Sequence, residues 1–176
     1  FEPVSAYAIF SEYMERSPRV ECLYHFTDVQ NLETIQELGL LSKRVMNAIG
    51  LEYSGAGSAQ SRYSDSASGV EDYVSISLTD DHPMMFAAER DGRISKAVVL
   101  RIYPAILSFD QVVFCPTTAN RKDAKFFSLD DAVKKGMVDF ETLYKDDGRQ
   151  YCSASETLRK CEILVPNCVP PGFIQF

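Results

Sequence analysis

The sequence predicts one mixed α+β domain with about six or more β-strands and three to four α-helices. Two features indicate this class: apolar runs typical of strands are spread along the whole chain, and segments with helical spacing lie between them. No internal repeat divides the 176 residues, of which 45% are hydrophobic. A chain of this length can bury a core without disulfides or metals, so we expect a single domain over residues 1–176.

Strand and helix patterns alternate at the beginning of the chain. Apolar residues at helical spacing predict an opening helix over Pro3–Arg16. Val20–Phe26 is a candidate strand, after which Thr27 or Asp28 caps a helix that ends at Gly39.

The segment from Lys43 to Glu71 has no apolar periodicity. It is rich in glycine and serine, which predicts a long irregular loop. Long loops within compact domains are uncommon and often functional, so we expect this segment to contact substrate or cofactor.

The rest of the chain returns to alternating strands and helices. Tyr73–Leu78 alternates as a strand does, and Thr79–Pro83 then begins a helix that runs through Ala88. The same criteria predict a helix over Leu129–Lys135, after the Ser128 cap, and four more strands: Ala97–Tyr103, Gln111–Cys115, Thr157–Pro166 and Phe173–Phe176.

Charge and cysteine content limit the function classes. The formal net charge of -7 argues against bulk electrostatic binding of nucleic acid, although a local basic groove could still hold one strand. Five cysteines without a Cys-x-x-Cys pair predict a reduced, cytoplasmic protein, and with only two histidines we expect no metal site. No apolar run approaches a membrane span, so no membrane partner is expected.

Common enzyme motifs are missing from the sequence. It has no phosphate-binding Gly-x-x-x-x-Gly-Lys-Ser/Thr loop, no Gly-x-Ser-x-Gly elbow and no His-Glu-x-x-His helix. Gly55-Ala56-Gly57 matches a dinucleotide fingerprint only weakly, because no strand precedes it and no helix follows it.

The residues that could perform chemistry lie on three separate predicted strands and in the long loop. Each has an ordinary explanation: a Glu at a strand end often faces solvent, a single His is more often a core residue, and alternating Ser in a strand commonly marks its solvent-facing side. Arg62, in the long loop, could simply be solvated. In chain order the set is His25 and Thr27, Arg62, Ser75 and Ser77, and Glu162.

Together with their neighbours, these residues resemble the ADP-ribosyltransferase fold, and within it the DarT-like toxins that modify nucleic-acid bases. The resemblance covers the chain from about Leu23 to its end and implies a split-sheet ADP-ribosyltransferase fold. Four segments resemble that family in order: Leu23-Tyr24-His25-Phe26-Thr27-Asp28, Tyr73-Val74-Ser75-Ile76-Ser77-Leu78-Thr79, Phe114-Cys115-Pro116-Thr117-Thr118-Ala119-Asn120, and Glu162-Ile163-Leu164-Val165-Pro166.

The resemblance implies that NAD is the co-substrate and that Glu162 and Arg62 are catalytic. Cleavage of the ribose–nicotinamide bond passes through an oxocarbenium-like state, which an ionised Glu162 could stabilise. Arg62 would offset the pyrophosphate charge or position the acceptor, and Arg44 is its rival for that role. The residues expected to bind the cofactor are His25, Thr27, Asn31, Ser75 and Ser77.

The resemblance further implies a base in single-stranded nucleic acid as the acceptor, with DNA favoured. We expect the acceptor to contact Tyr53, Tyr63, Asn120, Arg121 and Lys122 by stacking, edge or backbone contacts. A toxin or defence role, with an antitoxin protein or hydrolase as partner, is expected as well. RNA, a protein side chain as acceptor, and a catalytically silent binding module remain alternatives.

Overall fold

A seven-stranded antiparallel sheet is the framework of the protein in the computed structural model, which describes residues 7–9, 11–12, 22–55, 69–138 and 159–176. The sheet order is β6-β5-β7-β3-β1-β4-β9, and β2 pairs with β8 in a separate two-stranded sheet. The strands are β1 (Leu23–Asp28), β2 (Leu40–Leu41), β3 (Tyr73–Ser77), β4 (Ala97–Ile102), β5 (Val113–Cys115), β6 (Phe127–Ser128), β7 (Glu162–Pro166), β8 (Cys168–Val169) and β9 (Ile174–Gln175).

Short helices connect these strands, and several begin at side-chain caps. Ser42 and Ser128 accept hydrogen bonds from backbone N–H groups three residues later, which satisfies donors that a helix start leaves open. The α-helices with complete bounds are α1 (Leu32–Leu38), α2 (Lys43–Ala48), α3 (Pro83–Arg90) and α4 (Leu129–Lys134). Short 3-10 segments cover Val29–Asn31, Val70–Asp72, Pro104–Ser108 and Pro171–Phe173.

Strand β7 is an interior strand of the sheet, between β5 and β3. Ile163, Leu164 and Val165 are fully buried, as expected for a short, continuous apolar run in a strand covered on both faces. Ile163 and Val165 join the main core, whereas Leu164 packs in a smaller cluster on the opposite face. Since side chains alternate along a strand, Glu162 lies on the same face as Leu164.

Gly39 is required where α1 meets the small sheet. Its φ of 82° lies in the left-handed region, and a Cβ there would collide with the carbonyl oxygen of Val169. The predicted stop of α1 at Gly39 therefore also fixes how β2 is positioned against β8.

Most predicted strands and helices are present, with shifted ends. The opening helix is described only at residues 7–9 and 11–12, which are helical as expected. The first strand extends to Asp28, so Asp28 both ends β1 and caps the following turn by accepting from the Gln30 N–H.

Three predicted segments were wrong at a boundary for a reason that the structure shows. The segment expected to be irregular from Lys43 begins with α2, because Ser42 supplies a helix cap, and it ends in a 3-10 turn; residues 56–68 lie outside the described part. The strand expected over Thr157–Pro166 begins only at Glu162, because the chain at Arg159 is helical. The strand expected from Gln111 begins at Val113, because Gln111 has a φ of 62° that a strand does not allow.

Among the described residues, no helix has the length and apolarity needed to cross a membrane.

Candidate active site

Three adjacent strands, β7, β3 and β1, form one wall of a cavity of about 260 Å³. Helices α1 and α2, strand β2, the residues that follow α2 and the turn after β5 contribute to the rest of its lining. Eight of the predicted site residues line this one cavity: His25, Thr27, Asn31, Tyr53, Ser75, Ser77, Asn120 and Glu162. The sheet thus brings together residues that are up to 137 positions apart in the sequence (162 − 25).

Glu162 is a buried carboxylate with only one close hydrogen bond among the described residues. Glu162 is the first residue of β7, and it pairs with Ser77 on β3 and with Cys115 on β5. The Ala119 N–H donates to Oε2 at 2.6 Å. Burial raises the pKa of Glu162 to about 7, and the Ala119 hydrogen bond only partly offsets that effect. A carboxylate with this pKa can both accept and release a proton near neutral pH.

His25 is held in one tautomer by β3. Its Nδ1 lies 2.8 Å from the Ser75 carbonyl oxygen, and because a carbonyl only accepts, Nδ1 carries the proton. Burial lowers the pKa of His25, the hydrogen bond to Ser75 opposing this effect, so the ring is neutral at pH 7. Nε2 of the neutral ring is therefore an acceptor, suited to a ribose hydroxyl.

Asn31 fixes the chain that follows α2 against the end of β1. Its Nδ2 donates to the Ser54 carbonyl oxygen at 2.8 Å and to Thr27 Oγ1 at 3.0 Å, while its Oδ1 accepts from the Ser54 N–H at 3.0 Å. Both Nδ2 hydrogens of Asn31 are therefore used in shaping the cavity wall, while Oδ1 keeps one lone pair. Asn31 orients the loop around Tyr53, which also lines the cavity.

Asp28 is a second buried carboxylate in the cavity lining, and it is surrounded by donors. It accepts four hydrogen bonds of 2.7–3.1 Å, from the Ser95 N–H, Ser95 Oγ, Ser54 Oγ and the Gln30 N–H. Burial would raise the pKa of Asp28, but these bonds outweigh it and lower the pKa to about 2. Asp28 is therefore ionised at all ordinary pH values and ties three segments together.

The predicted basic residues are not brought together in the described structure. Arg62 and Tyr63 lie outside the described residues. The rival Arg44 forms an ion pair with Asp72, and Arg121 pairs with Asp123 at 3.0 Å. Neither arginine, nor the exposed Lys122, is among the described residues that line the cavity.

The sequence pattern did not indicate three contributors to the cavity. Asp28 was recognised only as a helix cap, although its position beside His25 and Thr27 could have suggested a second role. Lys43 lines the cavity from the start of α2, inside the segment expected to be irregular. The third contributor is the backbone N–H of Ala119. Nearly every residue type has this group, so the sequence could not indicate it.

Comparison with known proteins identifies the family. The family described as "ssDNA thymidine ADP-ribosyltransferase, DarT" matches residues 24–176. The chain belongs to the DarT family. The match confirms the predicted family, whose description names an ADP-ribosyltransferase that acts on thymidine in single-stranded DNA. No curated protein matches the sequence.

Solved DarT structures share the fold at low sequence identity. Thermosipho africanus DarTG in complex with ADP-ribose superposes with a TM-score of 0.68 at 16% identity, over 88% of this chain and 43% of that one. Thermus sp. 2.9 DarT in complex with ADP-ribosylated ssDNA gives 0.62 at 18% identity, over 90% and 80% of the two chains. The same Thermus protein in complex with NAD+ gives 0.58 at 18% identity, over 91% and 82%. These superpositions confirm the predicted ADP-ribosyltransferase fold.

This chain spans less than half of the Thermosipho DarTG chain.

Proposed function

We propose that this chain cleaves NAD+ in its cavity and transfers ADP-ribose to thymine in single-stranded DNA, with Glu162 as the catalytic residue. The observation that carries the proposal is the state of Glu162: a buried carboxylate on the cavity wall, with a pKa near 7 and one close donor. The family description supplies the acceptor, single-stranded DNA thymidine.

Glu162 can serve both halves of the transfer. As the bond from ribose C1 to nicotinamide breaks, its electron pair leaves with nicotinamide, and positive charge develops on the sugar. An ionised Glu162 stabilises that charge and can accept a hydrogen bond from a ribose hydroxyl. Thymine in a nucleoside has one ring N–H; loss of that proton to Glu162 leaves a nitrogen pair to form the new bond to C1.

The residues near Glu162 are chemically suited to the ribose and pyrophosphate groups of NAD+. The unprotonated Nε2 of His25 accepts from a ribose hydroxyl, while Thr27 and Ser77 add polar groups to the same wall. Lys43 lines the cavity with a charge opposite to that of the pyrophosphate, and Arg62 is proposed for the same task. Ser75 acts through its carbonyl oxygen, which fixes the His25 tautomer.

The acceptor base would enter from the side of Tyr53 and Asn120, both of which line the cavity. Tyr53 is 38% exposed, so its ring is available for a base to stack upon. Tyr63, Arg121 and Lys122 are proposed to contact the base or the strand's backbone farther out. An antitoxin or hydrolase partner, a toxin role and a cytoplasmic location are proposed on the basis of the family.

Mass spectrometry of oligonucleotides incubated with enzyme and NAD+ tests the reaction. We expect one added ADP-ribose on a single-stranded DNA that contains thymine, and none on the matched strand in which every thymine is replaced by cytosine. Nicotinamide release should accompany the adduct in equal amount. An adduct on RNA alone, or on protein alone, would replace the proposed acceptor, and no nicotinamide release with any acceptor would remove the activity.

The role of Glu162 is tested in the same assay with a matched carboxylate. Glu162→Gln should form no adduct, whereas Glu71→Gln, which removes a carboxylate outside the cavity lining, should retain wild-type activity. Equal activity of Glu162→Gln and wild type would exclude Glu162 as the catalytic residue.

A further inference from the structure

The ring of His82 lies beside the carboxylate of Glu162, on the side opposite the Ala119 donor. Nε2 of His82 is 3.9 Å from Oε1 of Glu162, whereas the Ala119 N–H contacts Oε2. Both side chains are buried, with 3% and 10% of their surfaces exposed. Among the described residues, His82 Nε2 has no hydrogen-bond partner. A buried polar nitrogen without a partner is unfavourable, and it requires an explanation.

The proton on His82 is fixed on that same nitrogen. Nδ1 accepts from the Met84 N–H at 3.2 Å, because His82 is the N-cap of α3, so the neutral ring carries its hydrogen on Nε2. The ring also stacks on Phe26, with centroids 5.9 Å apart, and Phe26 lines the cavity. The cap and the stacking together hold an N–H donor toward Glu162.

Burial, assisted by nearby cationic side chains, keeps the ring neutral. Burial is the main reason that the pKa of His82 falls to about 4, with further lowering by Arg159, Lys160 and His25 and an opposing contribution from Asp81. At pH 7 the ring is therefore a neutral donor and not the cation of an ion pair. A neutral donor can stabilise an ionised Glu162 without cancelling the negative charge that faces the sugar.

We propose that His82 is a positioning residue for Glu162: its Nε2–H donates to Oε1 when the carboxylate ionises, and thereby orients it against the ribose together with the Ala119 N–H. The observed separation exceeds a hydrogen bond by about 1 Å, so a small rotation of the Glu162 side chain would close the contact. Each carboxylate oxygen keeps a second lone pair for the substrate. The inference rests on the function proposed for Glu162.

Two substitutions separate the donor from the helix cap. His82→Asn keeps an oxygen near the position of Nδ1, where it can accept from the Met84 N–H, but has no group that reaches Glu162. His82→Gln can place an amide N–H near the position of Nε2, but lacks the cap. If His82 acts only through the cap, Gln is the damaging change; if it acts through the donor, Asn is.

The pKa of Glu162 is the decisive readout, measured by carboxyl-carbon NMR titration with the signal assigned by its loss in Glu162→Gln. We expect His82→Asn to raise this pKa by about one unit and, at pH 7, to lower kcat for transfer several-fold up to about tenfold, with the KM for NAD+ unchanged. His82→Gln should keep the pKa and kcat close to wild type while lowering Tm. A wild-type pKa in His82→Asn, or an equal pKa shift in both variants, would overturn the proposal.

The NMR titration does not require an active enzyme, so the two proposals can fail separately. A shifted pKa in His82→Asn, in a protein whose wild type transfers no ADP-ribose, would support the contact and reject the proposed function. Should His82→Asn fail to fold, the pKa of Glu162 in His82→Gln decides: a wild-type value supports the donor, and a raised value rejects it.

Discussion

Asp28 and Glu162 are both buried carboxylates that line the same cavity, yet their surroundings differ sharply. Asp28 accepts four hydrogen bonds and has a pKa of about 2, whereas Glu162 has one close donor and a pKa of about 7. Burial raises the pKa in both cases, so the number of donors accounts for the difference.

The difference is the one expected between a structural carboxylate, Asp28, and the proposed catalytic carboxylate, Glu162. The hydrogen-bonding capacity of Asp28 is used up by Ser95, Ser54 and Gln30, which leaves little for a substrate. Glu162 keeps most of its capacity open and its charge poorly compensated, which is the condition for strong interaction with a developing positive charge. Removing the charge should therefore affect activity at one site and stability at the other.

Glu162→Gln should produce the largest effect, a loss of about 10³-fold or more in ADP-ribose transfer, because it removes the proposed acid–base and electrostatic group. Initial rates with NAD+ and a thymine-containing strand measure it. The fold should remain intact, because the amide oxygen of Gln can still accept from the Ala119 N–H.

The stability of Glu162→Gln at different pH values tests whether Glu162 is a buried carboxylate with a raised pKa. The pKa of Glu162 is raised from an ordinary 4.5 to about 7, so the folded state holds its proton more tightly and wild type loses stability as pH rises between those values. Glu162→Gln should then be more stable than wild type at pH 8, by up to about 3 kcal/mol, with the advantage vanishing near pH 4.5. Equal Tm values at pH 8 would mean that Glu162 is not a destabilising buried charge.

Asp28→Asn should show the opposite behaviour, a loss of about 2 kcal/mol in the free energy of unfolding. The amide NH2 would face hydrogen-bond donors at one of the two oxygen positions, leaving buried donors without an acceptor. Urea denaturation at pH 7 measures the loss. Transfer by the folded fraction should fall far less than in Glu162→Gln; a larger loss of activity than of stability would place Asp28 in the chemistry instead.

The fold was predictable where one local signal fixes an element. Gly39 ended α1 and Ser128 capped α4 as the sequence indicated, because a left-handed glycine and a serine cap act within a few residues. Helix α2 was missed because its single cap, Ser42, precedes only six helical residues with no buried side chain among them.

The sequence indicated residues that the fold brings to one cavity, but not their protonation states. His25 and Glu162 were recognised through segments that resemble a family. The tautomer of His25 depends on the Ser75 carbonyl oxygen, and the pKa of Glu162 depends in part on the Ala119 N–H. Each partner is 43 or more positions away in the sequence and is brought close by the fold. Backbone donors and acceptors are common to all residue types, so no sequence pattern could distinguish Glu162 from Asp28 by the number of hydrogen bonds each receives.

The pH dependence of transfer should follow Glu162 and not Asp28. A base must be ionised to act, so kcat/KM should rise with pH through a midpoint of about 7, roughly tenfold between pH 6 and pH 8. Asp28 remains ionised throughout that window and contributes no slope. Its stabilising effect is lost only in acid, as pH falls from about 4 toward 2. A flat rate profile between pH 6 and pH 8 would contradict the assigned state of Glu162.

Ser95→Ala should give the smallest effect, because it removes one of the four donors to Asp28. The Ser95 backbone N–H still donates at 2.7 Å, so the loss of Oγ should lower the free energy of unfolding by about 1 kcal/mol and raise the pKa of Asp28 slightly. Ser108→Ala is the matched control, since its Oγ donates to the Ala105 carbonyl oxygen at an exposed position away from the cavity. If Ser95→Ala and Ser108→Ala unfold at the same denaturant concentration, the Oγ donor contributes nothing, and the low pKa of Asp28 depends on its backbone donors and Ser54.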